Sequence, residues 1–178
     1  MPHAMARLVQ PRTAAALILL AAAATIGGAL VFEYGFGLAP CPLCLLQRKP
    51  YYAAFPVAVV AMLLPSRSVW ARGALGLLAV IFLVSAGLGA YHAGVEWAWW
   101  AGPSDCSGAP APQAGSMDDF LSQLQSTRVV SCTEAAWRFL GFSLAGWNVL
   151  ISFALAAFAA LAAAMQGRRA HGSSSVSQ

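Results

Sequence analysis

The stretch Cys41-Pro-Leu-Cys-Leu-Leu-Gln-Arg-Lys-Pro50, with the apolar run from there to Ser66, decides how this chain is built. Only 17 uncharged residues separate Pro50 and Ser66 inclusive. A membrane-crossing helix needs about 20, because it rises about 1.5 Å per residue across a hydrocarbon core about 30 Å thick. The segment becomes long enough if its helix begins near Pro42, a residue suited to a first helical turn. That choice carries Cys44, Gln47 and Arg48 into the span, and Pro50 and Pro56 are expected to kink or loosen the helix beyond them. Three further uncharged stretches flank it: Thr13–Phe32 (20 residues), Gly73–Val95 (23) and Phe139–Met165 (27). Four helices is the reading, with three or five as alternatives.

Composition agrees. The chain has 178 residues, 60% of them hydrophobic and 9% charged, against about 25% charged in a typical soluble domain. The expected fold is therefore an all-α membrane protein, a four-helix transmembrane bundle. Its spans are placed at about 13–32, 43–64, 73–94 and 142–165, with outer loops at 33–42 and 95–141. Residues 1–12 form an inner N-terminus and 166–178 a disordered tail. A cleaved signal peptide is the alternative for the first segment, but its apolar run exceeds the usual length of about 7–15 residues.

The basic residues Arg7, Arg12, Arg67, Arg72, Arg168 and Arg169 fall on one side of this topology, and all six acids fall on the other. Arg and Lys mark the cytoplasmic side, so both termini are expected in the cytoplasm and all four cysteines in the periplasm, where disulfides persist. The net charge of +4 reflects that bias and gives no reason to expect nucleic acid. The long outer loop opens with a Gly/Pro/Ser/Ala-rich part, Gly102–Ser116. Ser116-Met-Asp-Asp119 then reads as a capping box. Met117, Phe120, Leu121 and Leu124 continue at helical spacing, so a short amphipathic helix is expected from Met117 to Ser126, on the bilayer surface or against the bundle.

Two residues between Cys41 and Cys44 permit a redox-active pair. Cys41 falls at a helix start, where free N–H groups and the helix dipole favour a thiolate. Zinc also uses this spacing, but it wants four ligands together and no histidine or further cysteine lies nearby in the chain; no metal is expected. Cys106 and Cys132 are 26 positions apart. They read either as a static bridge closing the loop or as an exchange pair able to reach Cys41. Arg48 follows Cys44 by one turn and shares its face. Its guanidinium could hold a carbonyl oxygen of a quinone and favour the Cys44 thiolate, or simply snorkel to lipid phosphate as Lys49 would. His92 is a proton carrier or an interfacial histidine. Tyr91, Trp97, Trp99, Trp100 and Trp137 fit an anchoring aromatic belt. Glu33 and Glu96 read as solvated charges at loop ends, and Ser143, Asn148 and Ser152 as ties between helices. Gly27-Gly28, Gly87 and Gly89 read as points of close helix approach.

At these residues the chain resembles the bacterial disulfide-bond formation protein B family, DsbB, over about Arg12–Met165. The likeness is carried by Cys41-Pro-Leu-Cys-Leu-Leu-Gln-Arg48 together with the Cys106/Cys132 pair. Tyr91-His-Ala-Gly-Val-Glu-Trp97 and Phe139-Leu-Gly-Phe-Ser-Leu-Ala-Gly-Trp-Asn148 reinforce it. The resemblance implies an inner-membrane enzyme in which ubiquinone or menaquinone oxidises Cys41 and Cys44. Cys44 would meet the quinone, with Gln47, Arg48 and His92 around it. It further implies that Cys106 forms a mixed disulfide with a reduced DsbA-like, thioredoxin-fold oxidase of the periplasm, and that Cys132 then exchanges with Cys41. Two other readings of the residues stand beside it: a four-helix membrane protein with two structural disulfides and no activity, and a membrane thiol reductase using another electron carrier.

Overall fold

The computed structural model describes residues 7–103, 116 and 131–174. Cys106 and the expected amphipathic helix Met117–Ser126 lie outside them. Four long helices are present among the described residues: α1 (Pro11–Leu30), α2 (Pro42–Leu63), α3 (Val69–Glu96) and α4 (Leu144–Ser174). Three apolar segments, Pro11–Gly35, Val69–Glu96 and Leu144–Gly167, are long and apolar enough to cross a membrane. α2 is not among them, since Gln47, Arg48 and Lys49 dilute its first turns.

Each helix buries one narrow stripe. On α1, Ala14, Ile18, Ala22 and Ile26 recur every fourth residue. On α3 the buried positions include Ala71, Leu75, Leu78, Phe82, Ser85, Gly89 and His92, alternating steps of three and four. That spacing keeps a single helix face turned inward. Large apolar side chains such as Leu20, Val60, Leu83 and Phe153 point outward and are more than half exposed, the arrangement of a bundle whose solvent is hydrocarbon.

α3 packs most closely on α4, followed by α2 on α3 and α1 on α2, whereas α1 and α4 meet sparsely. Gly89 permits the α3–α4 approach. A Cβ there would lie 2.9 Å from Val149 Cγ2, 3.1 Å from Asn148 Nδ2 and 3.2 Å from the Ala145 carbonyl oxygen. Gly27, Gly28 and Gly87 have nothing within 4 Å of such a Cβ, so the expectation of close approach holds only at Gly89.

Several boundaries differ from the sequence reading. A π-helical turn, Val31–Gly35, extends α1 into the expected outer loop, since neither Gly nor Pro falls between Gly28 and Gly35. Ser68 caps α3 by accepting from Trp70 N at 3.1 Å, which starts that helix four residues before Gly73. α2 runs unbroken through Pro50 and Pro56. α4 continues to Ser174 through residues expected to be a disordered tail. Gln166, Arg168, Arg169 and Ala170 are good helix formers, and no proline stops them. Ahead of α4 a two-stranded hairpin, β1 (Arg138–Phe139) and β2 (Phe142–Ser143), occupies what reads in the sequence as plain loop and helix start. Its turn residues Leu140 (φ 51°) and Gly141 (φ 84°) are both left-handed, as a type I′ turn requires.

The two ends of the bundle are distinct. Gln166 Nε2 donates to the Val9 carbonyl at 3.1 Å, and Arg72 lies beside Gly167, so these residues share one end. Cys41, Val95 and Cys132 pack together at the other.

Candidate functional site

Cys41 is the N-cap of α2. Its sulfur accepts from the Cys44 backbone N–H at 3.2 Å. Pro42, lacking an N–H, occupies the first turn at no cost in hydrogen bonds. The Cys41 and Cys44 sulfurs lie 2.8 Å apart and both thiols are free. A hydrogen bond from the Cys44 thiol, and then the hydrogen bond and charge of His92, draw the Cys41 thiol well below its ordinary range, against the opposing effect of burial.

The pair faces two ways. Cys41 belongs to a small buried cluster with Leu43, Val95 and Cys132, which is 1% exposed and disulfide-bonded. Cys44 packs against that cluster and also lines a cavity of about 420 Å³ between α1, α2, α4 and the hairpin. Ile26, Phe32, Leu38, Trp137, Phe139 and Ile151 give that cavity apolar walls, while Gln47, Arg48, Tyr51 and Asn148 place polar groups on one side. Its size falls within the range of small-molecule sites, about 300–1,000 Å³. Trp137 packs between Phe32 (5.1 Å between ring centroids) and Phe139 (5.6 Å, stacked) and walls the cavity. Trp147 Nε1 donates to the Phe139 carbonyl at 3.1 Å, fastening the hairpin over α4.

Arg48 Nη1 donates to Glu33 Oε2 at 2.6 Å, with both side chains largely buried. Glu33 is therefore not the solvated charge that the sequence implies; the π-helical turn swings it over α2. The guanidinium keeps further donors for a ligand in the cavity. Gln47 is buried, and both its amide nitrogen and its amide oxygen have partners. Its Nε2 is 2.6 Å from His92 Nδ1, and its Oε1 accepts from Asn148 Nδ2 at 2.6 Å. Tyr51, 2% exposed, donates to Asn148 Oδ1 at 2.7 Å and lies 2.9 Å from Ser152 Oγ, which donates to Ser85 Oγ at 2.9 Å. A buried polar chain thus joins α2, α3 and α4. Asn148 and Ser152 tie helices together as expected, whereas Ser143, the last residue of β2, accepts from Gly146 N at the start of α4.

His92 is buried and does not line the cavity; it stands behind it, with Nε2 3.6 Å from Cys41 Sγ. Glu96 differs most from its sequence reading. Its side chain is only 4% exposed, Oε1 lies 3.8 Å from His92 Nε2, and Oε2 has no hydrogen-bond partner among the described residues. The spacing His92–Glu96, one helical turn, is the signal that could have found it.

The family model described as "Disulfide bond formation protein DsbB" matches residues 11–162. A Disulfide bond formation protein B of Marinobacter nauticus is 31% identical over 139 residues, covering 75% of this chain and 80% of the relative. One from Xanthomonas oryzae is 30% identical over 156 residues (84% and 88%), and one from Verminephrobacter eiseniae is 32% identical over 171 (89% of each). No solved structure matches. A match over most of the chain, relatives of one name and three membrane-capable apolar helices lead to one assignment: the chain is a membrane protein of the disulfide-bond formation protein B family.

Proposed function

We propose that the chain is a four-span, inner-membrane thiol oxidoreductase that takes electrons from a reduced periplasmic, DsbA-like thioredoxin-fold oxidase and delivers them to ubiquinone or menaquinone. The observation that carries this reading is the two-faced dithiol: Cys41 packs in the cluster that holds Cys132, and Cys44 opens into an apolar cavity beside Arg48. A static disulfide would need neither the cavity nor a buried guanidinium in its wall. α2 completes the four spans by carrying its polar turn against the other helices, where Gln47 and Arg48 find partners instead of lipid. Arg7, Arg12, Arg67 and Arg72 support placing the end with Val9 and Gln166 in the cytoplasm, which leaves the cysteines in the periplasm.

In the proposed sequence, a partner thiolate displaces one sulfur of a Cys106–Cys132 disulfide at Cys106, and the partner's second thiol resolves the mixed disulfide. The partner gives up two electrons and two protons and leaves as its own disulfide; Cys106 and Cys132 become thiols. Cys132 then attacks Cys41 of an oxidised Cys41–Cys44 pair and, once Cys106 resolves that bond, the charge rests on Cys41 and Cys44. Cys41 is suited to the role, because Cys44 and His92 stabilise its thiolate. A quinone bound in the cavity supplies the acceptor for the two electrons and two protons released when Cys41 and Cys44 close again. The apolar walls fit its ring and tail, and Arg48, with the remaining Gln47 N–H, would hold its carbonyl oxygens. Those walls also exclude water from Cys44.

Anaerobic mixing of the purified, reduced protein with each quinone tests this directly. One quinone reduced per dithiol lost is expected, and Cys44→Ala should abolish the reaction. Thiols that persist with both quinones would end the reading.

A further inference from the structure

In the chain, Cys41 and Cys44 have no histidine near them, and the spacing alone gives a metal only two ligands. The fold changes this. The two sulfurs and a ring nitrogen of His92 lie within 4.8 Å of one another. In a tetrahedral zinc site, with bonds of about 2.3 Å to sulfur and about 2.0–2.1 Å to nitrogen, sulfur and nitrogen ligands stand about 3.5 Å apart and two sulfurs about 3.8 Å. Cys41 Sγ and His92 Nε2 are already at 3.6 Å. The sulfurs, at 2.8 Å, would have to part by about 1 Å to reach the tetrahedral spacing. A buried carboxylate stands next to these three, outside the 4.8 Å group, and would swing in as the fourth donor: Glu96 Oε1 is 3.8 Å from His92 Nε2, and Oε2 has no partner among the described residues. An unsatisfied, nearly inaccessible carboxylate oxygen is costly, and a cation beside it would remove that cost. Gln47, at 2.6 Å from Nδ1, orients the ring from behind as the outer partner of a ligating histidine does. It can accept from Nδ1–H if its amide turns over together with that of Asn148, which leaves Nε2 free to ligate.

We propose that reduced Cys41 and Cys44, with His92 and Glu96, form a binding site for a soft divalent cation of the zinc type that withdraws the dithiol from exchange while it is filled. Two S–metal bonds, one N–metal bond and one O–metal bond form, two thiol protons pass to solvent, and nothing is oxidised or reduced. The site exists only in the reduced state, because sulfurs joined to each other cannot act as two thiolate ligands. It does not depend on which oxidant normally empties the pair.

Cobalt titration of the reduced, full-length Cys106→Ser/Cys132→Ser protein in detergent reports on this pair alone. One equivalent should produce thiolate-to-cobalt charge-transfer absorption and the visible bands of a tetrahedral ion. Zinc should displace the cobalt, and oxidation of the pair should abolish the spectrum. Glu96→Gln should weaken cobalt binding at least tenfold and His92→Gln more. Absent bands, or an affinity that survives His92→Gln, overturn the site; an affinity that survives Glu96→Gln overturns the four-residue donor set. In the unmodified reduced chain zinc should protect both Cys41 and Cys44 from alkylation, so a variant that fails to fold does not remove the test, and unprotected thiols would overturn the site. Quinone reduction by metal-free protein is read separately and stands or falls on its own.

Discussion

Arg48 shows how much one side chain's value depends on its neighbours. Its charge at the cavity wall is balanced by Glu33 at 2.6 Å, so the guanidinium is positioned before any ligand arrives. Lysine keeps the charge but not the planar fork that can serve Glu33 and a carbonyl together. Arg48→Lys is therefore expected to raise the apparent KM for quinone about 10-fold or more, given about 1.5–3 kcal/mol for a charge-assisted hydrogen bond. Steady-state kinetics at varied quinone concentration would show it, and an unchanged KM would take Arg48 out of binding. Cys41, Cys44 and Arg48 were legible in the sequence because their spacing along one helix fixes their mutual placement. The burial of Glu33 and Glu96 and the contacts of His92 were not. A carboxylate at a helix end looks the same in a sequence whether it is solvated or folded under a neighbour, and the contacts of His92 with Cys41 and Gln47 span 51 and 45 residues.

At the level of the helices, the close packing of α3 on α4 rests on Gly89, and the same contact holds Asn148 in the polar chain. Gly89→Ala forces a methyl group against Val149 and Asn148, an overpacking expected to cost about 1–3 kcal/mol. Thermal unfolding in detergent should show a lowered Tm, with slower thiol chemistry as Asn148 shifts. An unchanged Tm would mean that the helices separate freely at this point. Helix interiors were readable from hydropathy and small-residue spacing. Helix ends were not, since they depend on capping: a serine side chain begins α3 early, and a type I′ turn at Leu140-Gly141 converts apparent helix start into hairpin. No periodicity announces a hairpin with two residues in each strand.

Across the molecule, the two ends of the bundle differ in chemistry: Arg72 stands beside Gly167 at one, and Cys41, Cys132, Glu33 and Glu96 gather at the other. In a cysteine-free background, a single cysteine at Ser68 should resist a membrane-impermeant maleimide in intact cells, whereas one at Ala98 should react. The reverse pattern would invert the proposed orientation. The loose seam between α1 and α4 has a further consequence. A hydrophobic molecule slipping sideways through it would never have to dissolve in water, so occupancy would follow its mole fraction in the bilayer. Adding empty lipid at constant total amount would then dilute it as effectively as removing it.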